Sequence, residues 1–177
     1  MVSASTKEVI FLHTIMTNGL LSILKKPKRN SIYQEIQRDY TSIAVTTDDS
    51  NDEIVYASSM GDGVIQYKNG TPVQSYNEKN AFKETAGGYG SGYCYIDGLA
   101  FDKNGNLWMT SSEVNHAVLV LDKAGAWHRL DIEQLRGVYT INDILITSTN
   151  DKWIYVPRNT PKLVMIPNSE SLDEVLV

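Results

Sequence analysis

The stretch Gly98-Leu-Ala-Phe-Asp-Lys-Asn-Gly-Asn-Leu-Trp-Met-Thr110 decides the fold of this chain. Its two apolar runs flank Lys103–Asn106, a set of residues that favours a tight turn, so the pattern predicts two antiparallel strands. Ala117–Leu121 follows as a third strand. A turn at Asp122–Gly125 then leads into a fourth strand, Ala126–Leu130. The stretch is therefore the start of a four-stranded antiparallel meander.

The same arrangement recurs on both sides of this meander. Upstream, the predicted strands are Ser42–Thr46, Glu53–Ala57, Val64–Tyr67 and Pro72–Tyr76. Downstream, they are Ile144–Ile146, Lys152–Val156 and Leu163–Ile166. A repeat of about 40–50 residues with four short strands per unit is the signature of a β-propeller blade. The sequence therefore predicts an all-β fold built from propeller blades.

One large aromatic residue marks the second strand of each predicted blade. Trp108 and Trp153 stand in matching places about 45 residues apart, and Tyr56 is assigned the same place in the first copy. The faces of a blade are buried against its neighbours, and a large side chain fills the wedge between them. We expect Tyr56, Trp108 and Trp153 to pack between blades rather than to contact a ligand.

The number of repeats indicates whether the predicted blades can close a propeller by themselves. Three blades are predicted over about 40–82, 93–133 and 138–177, and residues 1–39 form a partial blade or an N-terminal segment. Propellers close with four to eight blades. A set of three or four would leave its terminal faces and edges unpaired. The chain is therefore expected to be a partial propeller that belongs to a larger ring, or to self-associate to complete one.

The first forty residues are less regular than the rest. Ser5 and Glu8 form a capping-box pattern, so a short helix over 6–16 is one interpretation and a strand over Val9–Ile15 is the other. Leu20–Leu24 is predicted as a strand, and Lys25–Arg29 as a solvated basic loop. The start shows no signal-peptide pattern, and no apolar run is long enough to span a bilayer.

Composition narrows the classes of function. The chain has 177 residues, with 16 basic and 21 acidic side chains and a net charge of -5. This balance argues against a nucleic-acid binder, which needs a basic surface. The single cysteine, Cys94, rules out an internal disulfide and leaves the compartment open. No metal-ligand spacing is present, and no cofactor is predicted.

Several phrases resemble a known family of repeats. Asp102-Lys-Asn-Gly-Asn-Leu-Trp108, together with Gly61-Asp-Gly63 and Tyr67-Lys-Asn-Gly70, resembles the two-component-regulator propeller repeat of Bacteroidetes hybrid-kinase sensor ectodomains. The longer order, from Tyr76-Asn-Glu-Lys-Asn80 through a Gly-rich loop to Trp127-His128, is similar to the PorZ-like propeller of the type IX secretion system. The resemblance covers roughly residues 40–157.

This resemblance implies a non-catalytic binding or scaffolding module at the cell surface or in the periplasm. Its implied partner is a glycan, a lipopolysaccharide-type ligand or a protein. A ligand-sensing ectodomain of a hybrid two-component kinase is the alternative within the same class. An enzyme of the propeller lyase or lactonase type is the alternative from another class.

The Gly-rich loop Gly87–Tyr93 is the most suggestive candidate for a binding site. Tyrosine rings stack on sugars and peptides at a small entropic cost, and glycine permits close approach. A loop that enters an inner strand would lie near the central face of a propeller. The candidate ligand-binding residues are Tyr89, Tyr93, Tyr95 and His116. The alternative is an inter-blade connection without a ligand.

No catalytic constellation is visible. His13, His116 and His128 are isolated in the sequence, and no nucleophile-elbow motif occurs. A propeller lyase or lactonase would need a metal or a His/Glu cluster. Asp102–Asn106 resembles the first half of a calcium loop, in which Asp102, Asn104, Asn106 and Glu113 would be the ligands. A plain β-turn explains the same residues, so no metal site is predicted.

Overall fold

The computed structural model describes residues 20–21, 36–37, 39–82, 92–168 and 172. The chain divides into two compact units, 1–39 and 40–177. In the first unit, β1 (Leu20–Leu21) pairs with β2 (Ile36–Gln37) in antiparallel fashion. The helix or strand predicted within 6–16 and the basic loop Lys25–Arg29 lie outside the described residues.

The second unit begins with a four-stranded antiparallel blade. Its strands, in spatial order, are β3 (Tyr40–Thr47), β4 (Glu53–Gly61), β5 (Gly63–Lys68) and β6 (Thr71–Tyr76). The β5–β6 hairpin turns at Asn69 and Gly70, which both have positive φ, 48° and 76°. Two consecutive left-handed residues are what a two-residue hairpin loop requires, which explains the Asn-Gly pair.

Two further blades follow. The second consists of β7 (Cys94–Phe101), β8 (Leu107–Ser111), β9 (Val118–Leu121) and β10 (Trp127–Leu130). After a 3-10 turn at Glu133–Leu135, the third contains β11 (Asp143–Ile146), β12 (Lys152–Val156) and β13 (Lys162–Ile166). The part of the chain that the structure describes contains no α-helix. The prediction of an all-β partial propeller is confirmed.

A carboxylate anchors the turn between the first two strands of the second blade. Asp102 Oδ1 accepts hydrogen bonds from the backbone N–H of Asn104 at 2.9 Å and of Asn106 at 2.8 Å. Its Oδ2 accepts from the Trp108 indole N–H, also at 2.9 Å. Asp48 and Thr147 anchor the matching turns of the other blades. The Asp102 carboxylate thus holds the turn together through its hydrogen bonds, as an aspartate commonly does at a β-turn.

These turns also fix which residues correspond between blades. Counted from the end of each turn, the counterpart of Trp108 is Trp153 in the third blade and Ile54 in the first. Trp108 lies opposite Ala100, and Ile54 lies opposite Thr46. Assigning Tyr56 to this place was wrong by two residues, because the assignment matched aromatic residues instead of turns. A shift of two keeps the side chain on the same face of the strand.

The second blade is buried on both faces. Leu107, Met109 and Leu119 form one cluster with residues of the first blade, such as Val64. Trp108 and Val120 form another with Ile154 of the third blade. Each fully buried side chain of this size stabilises the fold by roughly 1.5–3 kcal/mol relative to exposure. The blades are therefore held together by apolar packing between faces.

Hydroxyl groups replace part of the backbone ladder along β7. A bulge between Ile96 and Leu99 interrupts the β7–β8 pairing. The Gly98 N–H donates to Thr110 Oγ1 at 2.8 Å, and the Leu99 N–H donates to Ser42 Oγ of the first blade at 3.1 Å. These bonds satisfy backbone groups that a buried bulge would leave unpaired. They also tie the inner strand of one blade to the next.

Candidate functional site

Three loops meet at one end of the second blade. Tyr95 lies opposite Met60, and Ile96 lies opposite Ser111, so β7 begins where β4 and β8 end. The segment after β8 is bonded to the one before β11: the Glu113 N–H donates to the Val138 carbonyl at 2.8 Å. The start of β7, the loop after β8 and the segment before β11 therefore form one surface.

Three tyrosines and two carboxyl groups gather at this end. The rings of Tyr93 and Tyr95 pack edge to face, with centroids 6.5 Å apart and planes at 87°. Burial raises the pKa of Tyr95 to about 12, and the charges of Asp97, Tyr93, Glu113 and Tyr139 add to the effect. We call this group of five residues the tyrosine site. Its most open member is Tyr139, which is 54% exposed.

Close packing explains the position of Tyr93. A Cβ placed on Gly61 would lie 3.0 Å from Cε2 of the Tyr93 ring, and Gly61 has a φ of 111°. Glycine therefore serves twice at this position: it adopts a backbone conformation that other residues rarely reach, and it lets the ring come close to the chain. The end of β4 in this way forms the base under Tyr93.

Asp97 lies at the bottom of the tyrosine site. It is buried, and the Ser112 hydroxyl donates to its Oδ2 at 2.6 Å. Ser112 Oγ in turn accepts from the Ile141 N–H at 2.9 Å. Burial raises the pKa of Asp97 to about 7, although the Ser112 hydrogen bond opposes the rise. One polar chain thus links β7 to both connecting loops, and it ends on a carboxyl group that titrates near neutral pH.

This burial predicts how stability depends on pH. The folded protein keeps the Asp97 proton up to about pH 7, whereas an aspartate in the unfolded chain loses it near 3.8. The folded state binds more protons between these values, so stability is lost as the pH rises through them. We expect Asp97→Asn, which keeps the oxygen that accepts from Ser112, to raise the unfolding free energy at pH 8 by about 2 kcal/mol or more.

Urea unfolding of both proteins at pH 5 and pH 8 measures this effect. The difference between Asp97→Asn and the wild type should grow with pH, since the carboxylate form is the costly one. Asp49→Asn is the control, because Asp49 is exposed in the β3–β4 turn. If the two variants show the same pH dependence, the Asp97 carboxyl is not desolvated as described.

Glu113 has an unusual backbone and an unused acceptor. Its φ is 62°, a left-handed conformation that is uncommon for residues other than glycine. Its Oε1 is buried and makes no hydrogen bond within the described part of the chain. Strained residues and unsatisfied polar atoms concentrate at sites with a role beyond folding. Glu113 therefore marks this end of the blade as a candidate binding surface.

The structure brings together some of the residues singled out from the sequence. Tyr93 and Tyr95 are in contact. His116 lies on the loop between β8 and β9. The hydrogen bond from Arg136 lowers the pKa of Asp131, and His116 adds a smaller electrostatic effect in the same direction. Tyr89 lies outside the described residues and stays a prediction. Asp97 and Tyr139 were missed, and Glu113 was considered only as a possible calcium ligand. An aspartate within the apolar run Tyr95–Phe101 was the signal that could have identified the first of them.

The residues expected to pack between blades occupy different environments. Trp108 is 2% exposed, and the Lys152 Nζ lies 4.5 Å from its ring centroid. Tyr56 is half-buried and meets Phe101 of the second blade edge to face at 5.8 Å. Trp153 is 38% exposed on the outer face of the third blade. Its face is the one that would meet a following blade.

Other polar groups form local pairs. His128 Nε2 lies 2.9 Å from Asp122 Oδ2, within the second blade. Cys94 is buried, and burial raises the pKa of its thiol. Within the described ranges, no group of three or more His, Cys, Asp or Glu side chains is arranged to hold a metal ion. The described residues also include no helix long and apolar enough to cross a membrane.

Comparisons with known proteins bear on the fold. No protein-family model and no curated protein matches the sequence. Among solved structures, PorZ, a surface component of the type IX secretion system of Porphyromonas gingivalis, aligns with a TM-score of 0.59 and 21% identity. The alignment covers 73% of this chain and 17% of that one.

A second solved structure is the extracellular domain of a hybrid two-component system from B. thetaiotaomicron. It aligns with a TM-score of 0.54 and 17% identity, over 89% of this chain and 20% of that one. A streptogramin B lyase structure aligns with a TM-score of 0.46 and 16% identity, over 85% of this chain and 48% of that one.

The chain spans about a fifth of the length of the first two proteins. At these identities the likeness concerns the fold alone. The blades observed here are similar to those of both proteins, which are the two types of propeller that the sequence resembles. The propeller-type fold inferred from Asp102–Trp108 is thus confirmed.

Proposed function

We propose that this chain is a non-catalytic binding module of a cell-surface or periplasmic protein and that its tyrosine site contacts a glycan or a protein partner. The observation that carries the proposal is the grouping of Tyr93, Tyr95 and Tyr139 over two carboxyl groups. Aromatic rings with polar tips provide large contact areas at a low entropic cost. Carboxyl oxygens add acceptors for sugar hydroxyls or backbone N–H groups.

His116 and Tyr89 are two further residues that we assign to the binding site. His116 lies on the loop that follows Glu113, at the same end of the second blade. Tyr89 precedes Tyr93 in the Gly-rich loop. The likeness to PorZ, which is a bacterial surface component, supports a location on the cell surface. Glycans of the bacterial surface, including lipopolysaccharide-type chains, are the ligands to test first.

The proposal predicts the effect of removing one ring. Tyr139→Ala should weaken binding at least tenfold, because an exposed aromatic residue at the centre of a contact is a typical hot spot. Binding is measured by titrating the protein with purified bacterial polysaccharides and following tryptophan fluorescence. Tyr155→Ala is the matched control, since Tyr155 is 45% exposed and lies on the third blade.

Two outcomes would count against the tyrosine site. Equal weakening in both variants would place the contact elsewhere or show a general effect of aromatic loss. Binding unchanged by Tyr139→Ala would remove the exposed ring from the contact. Unfolding curves of both variants should match that of the wild type, because neither ring is part of a buried cluster.

A sensing role is the second candidate. The observation that favours it is the alignment with the extracellular domain of a hybrid two-component system. A sensor would bind a small ligand that changes the relation between blades, whereas a scaffold would bind without such a change. Hydrogen exchange at the Ile141 amide, with and without polysaccharide, separates the two, because its partner Ser112 also bonds Asp97.

A further inference from the structure

An exposed methionine adjoins the tyrosine site. Met60 is 40% exposed and lies directly opposite Tyr95 in the antiparallel β4–β7 pair. Residues that face each other in such a pair project from the same side of the sheet, with Cβ atoms about 4.5–5.5 Å apart. The next residue of β4, Gly61, lies against the Tyr93 ring. An open apolar chain therefore stands beside the aromatic rings.

The rings of the site are arranged as the walls of a corner. The planes of Tyr93 and Tyr95 are nearly perpendicular, at 87°. Tyr139 lies close enough for its charge to act on the pKa of Tyr95, and it is 54% exposed. Aromatic rings set around a common space form the pockets that bind alkylammonium groups, because the face of each ring attracts a cation.

The electrostatics of the site favour a cation as well. Burial is the main cause of the raised pKa of Tyr95, and four acidic groups add to it through their charge: Asp97, Glu113, Tyr93 and Tyr139. All four are neutral or negative, so none of them carries a positive charge. A surface on which acidic groups converge in this way attracts positively charged ligands.

Glu113 is the carboxylate with acceptor capacity in reserve. Its Oε1 is buried and makes no hydrogen bond within the described part of the chain. Its backbone is held in place, because the Glu113 N–H donates to the Val138 carbonyl at 2.8 Å. A buried acceptor without a donor is rare in folded proteins, and hydrogen bonds to charged groups are the strong ones. An ammonium group supplies the donor and the opposite charge together.

We infer that the tyrosine site accepts a lysine side chain of a protein partner. The inference rests on the proposed binding function of this site and names the chemistry of its occupant. The ammonium group meets the Glu113 carboxylate and the tyrosine rings, while the methylene stem packs along Met60, as lysine stems do on apolar surfaces. An amino sugar has the charge but lacks such a stem, so the exposed Met60 favours the protein.

Two short peptides test the inference. One is acetyl-Gly-Lys-Gly-amide, and the other has norleucine in place of lysine, which keeps an aliphatic stem and lacks the ammonium group. Binding is followed at pH 7 by the NMR shifts of the tyrosine ring protons. The lysine peptide should bind at least about fivefold more tightly. This preference should shrink as salt screens the charges.

A change of charge at Glu113 provides the first matched pair of variants. Glu113→Gln should weaken binding of the lysine peptide about tenfold, because the amide keeps the shape of the side chain and loses its charge. Binding of the norleucine peptide should stay the same. Glu133→Gln is the control: it removes the same charge from an exposed position in the 3-10 turn after β10 and should affect neither peptide.

Tyr139 provides a second pair that separates the ring from its bulk. Tyr139→Phe should retain the affinity for the lysine peptide, because the ring face remains. Tyr139→Leu should lower it about fivefold, because the cation–π attraction is lost. Thermal unfolding of all four variants shows whether a loss of binding reflects the site or the fold.

The results also separate this inference from the proposed function. Equal affinity for the two peptides, or equal losses in Glu113→Gln and Glu133→Gln, would refute the lysine assignment. A glucosamine oligomer is the second probe, and its binding without that of the lysine peptide would assign the cation to a glycan. Polysaccharide binding that depends on Tyr139 but shows no preference for lysine would leave the proposed function standing alone. No binding by any of these probes would count against both.

Discussion

Trp108→Ala should lower the free energy of unfolding by about 4 kcal/mol, which corresponds to a drop in Tm of roughly 10 °C. The side chain is 2% exposed and belongs to the cluster between the second and third blades. The change opens a cavity there. It also removes the indole N–H that donates to Asp102 Oδ2 at 2.9 Å.

The loss also leaves a buried cation without its aromatic neighbour. Lys152 is 2% exposed, and its Nζ lies 4.5 Å from the Trp108 ring centroid. Burial lowers the pKa of Lys152, against the opposing effect of Asp102 and Asp151. A buried cation lowers the stability of the fold when the groups that stabilise its charge are removed. We therefore expect the effect to exceed that of a simple cavity at pH 7.

Thermal unfolding of Trp108→Ala and Trp153→Ala in dilute solution tests this expectation. The two tryptophans occupy corresponding positions, but Trp153 is 38% exposed, so its removal should cost only about 1 kcal/mol. Trp108→Phe should retain part of the lost stability, because it fills most of the cavity. Similar losses for the two alanine variants would contradict the burial of Trp108 between blades.

Gly98→Ala is expected to cost about 3 kcal/mol, although it adds a single methyl group. A Cβ at this position would lie 2.7 Å from the Ile144 nitrogen and 3.0 Å from the Asp143 Cα. Both are backbone atoms of β11, the inner strand of the third blade, and they cannot rotate away. The substitution should force the inner strands of two blades apart.

Urea unfolding and amide exchange at Ile144 measure this separation. Gly125→Ala is the control, because Gly125 has a φ of 90° and an added Cβ would have no heavy atom within 4 Å of it. It should cost about 1 kcal/mol through backbone strain alone. If Gly98→Ala destabilises no more than Gly125→Ala, or leaves exchange at Ile144 unchanged, the close approach of β7 and β11 would be refuted.

The sequence predicted the strands well where turn residues bound them. β12 has the predicted limits, Lys152–Val156, and β5 extends the predicted strand by one residue at each end. β7 was predicted from Gly98 but begins at Cys94. The four residues were missed because Asp97 interrupts the apolar run, and its burial depends on Ser112, a residue of another segment.

In the candidate site, too, local patterns could be recognised from the sequence, whereas contacts between distant segments could not. Tyr93 and Tyr95 were found because a Gly-rich loop with tyrosines is a local pattern. Tyr139 was not found, and Glu113 was considered only as a calcium ligand, since nothing in their neighbourhoods links either residue to Tyr95. Their place beside Tyr95 results from the bond between Glu113 N–H and the Val138 carbonyl. A contact between segments that are far apart along the chain cannot be recognised from the sequence of either segment alone.

The sequence by itself determined the repeat, the strands and the turns, because turn chemistry acts over a few residues and alternation acts within one strand. Only the tertiary structure decided which faces are buried. Trp108 and Trp153 follow the same kind of turn, yet one is enclosed and the other is exposed. The physical reason is that burial of a blade face depends on the blade that packs against it, and that neighbour is specified by the assembly of the fold rather than by the strand.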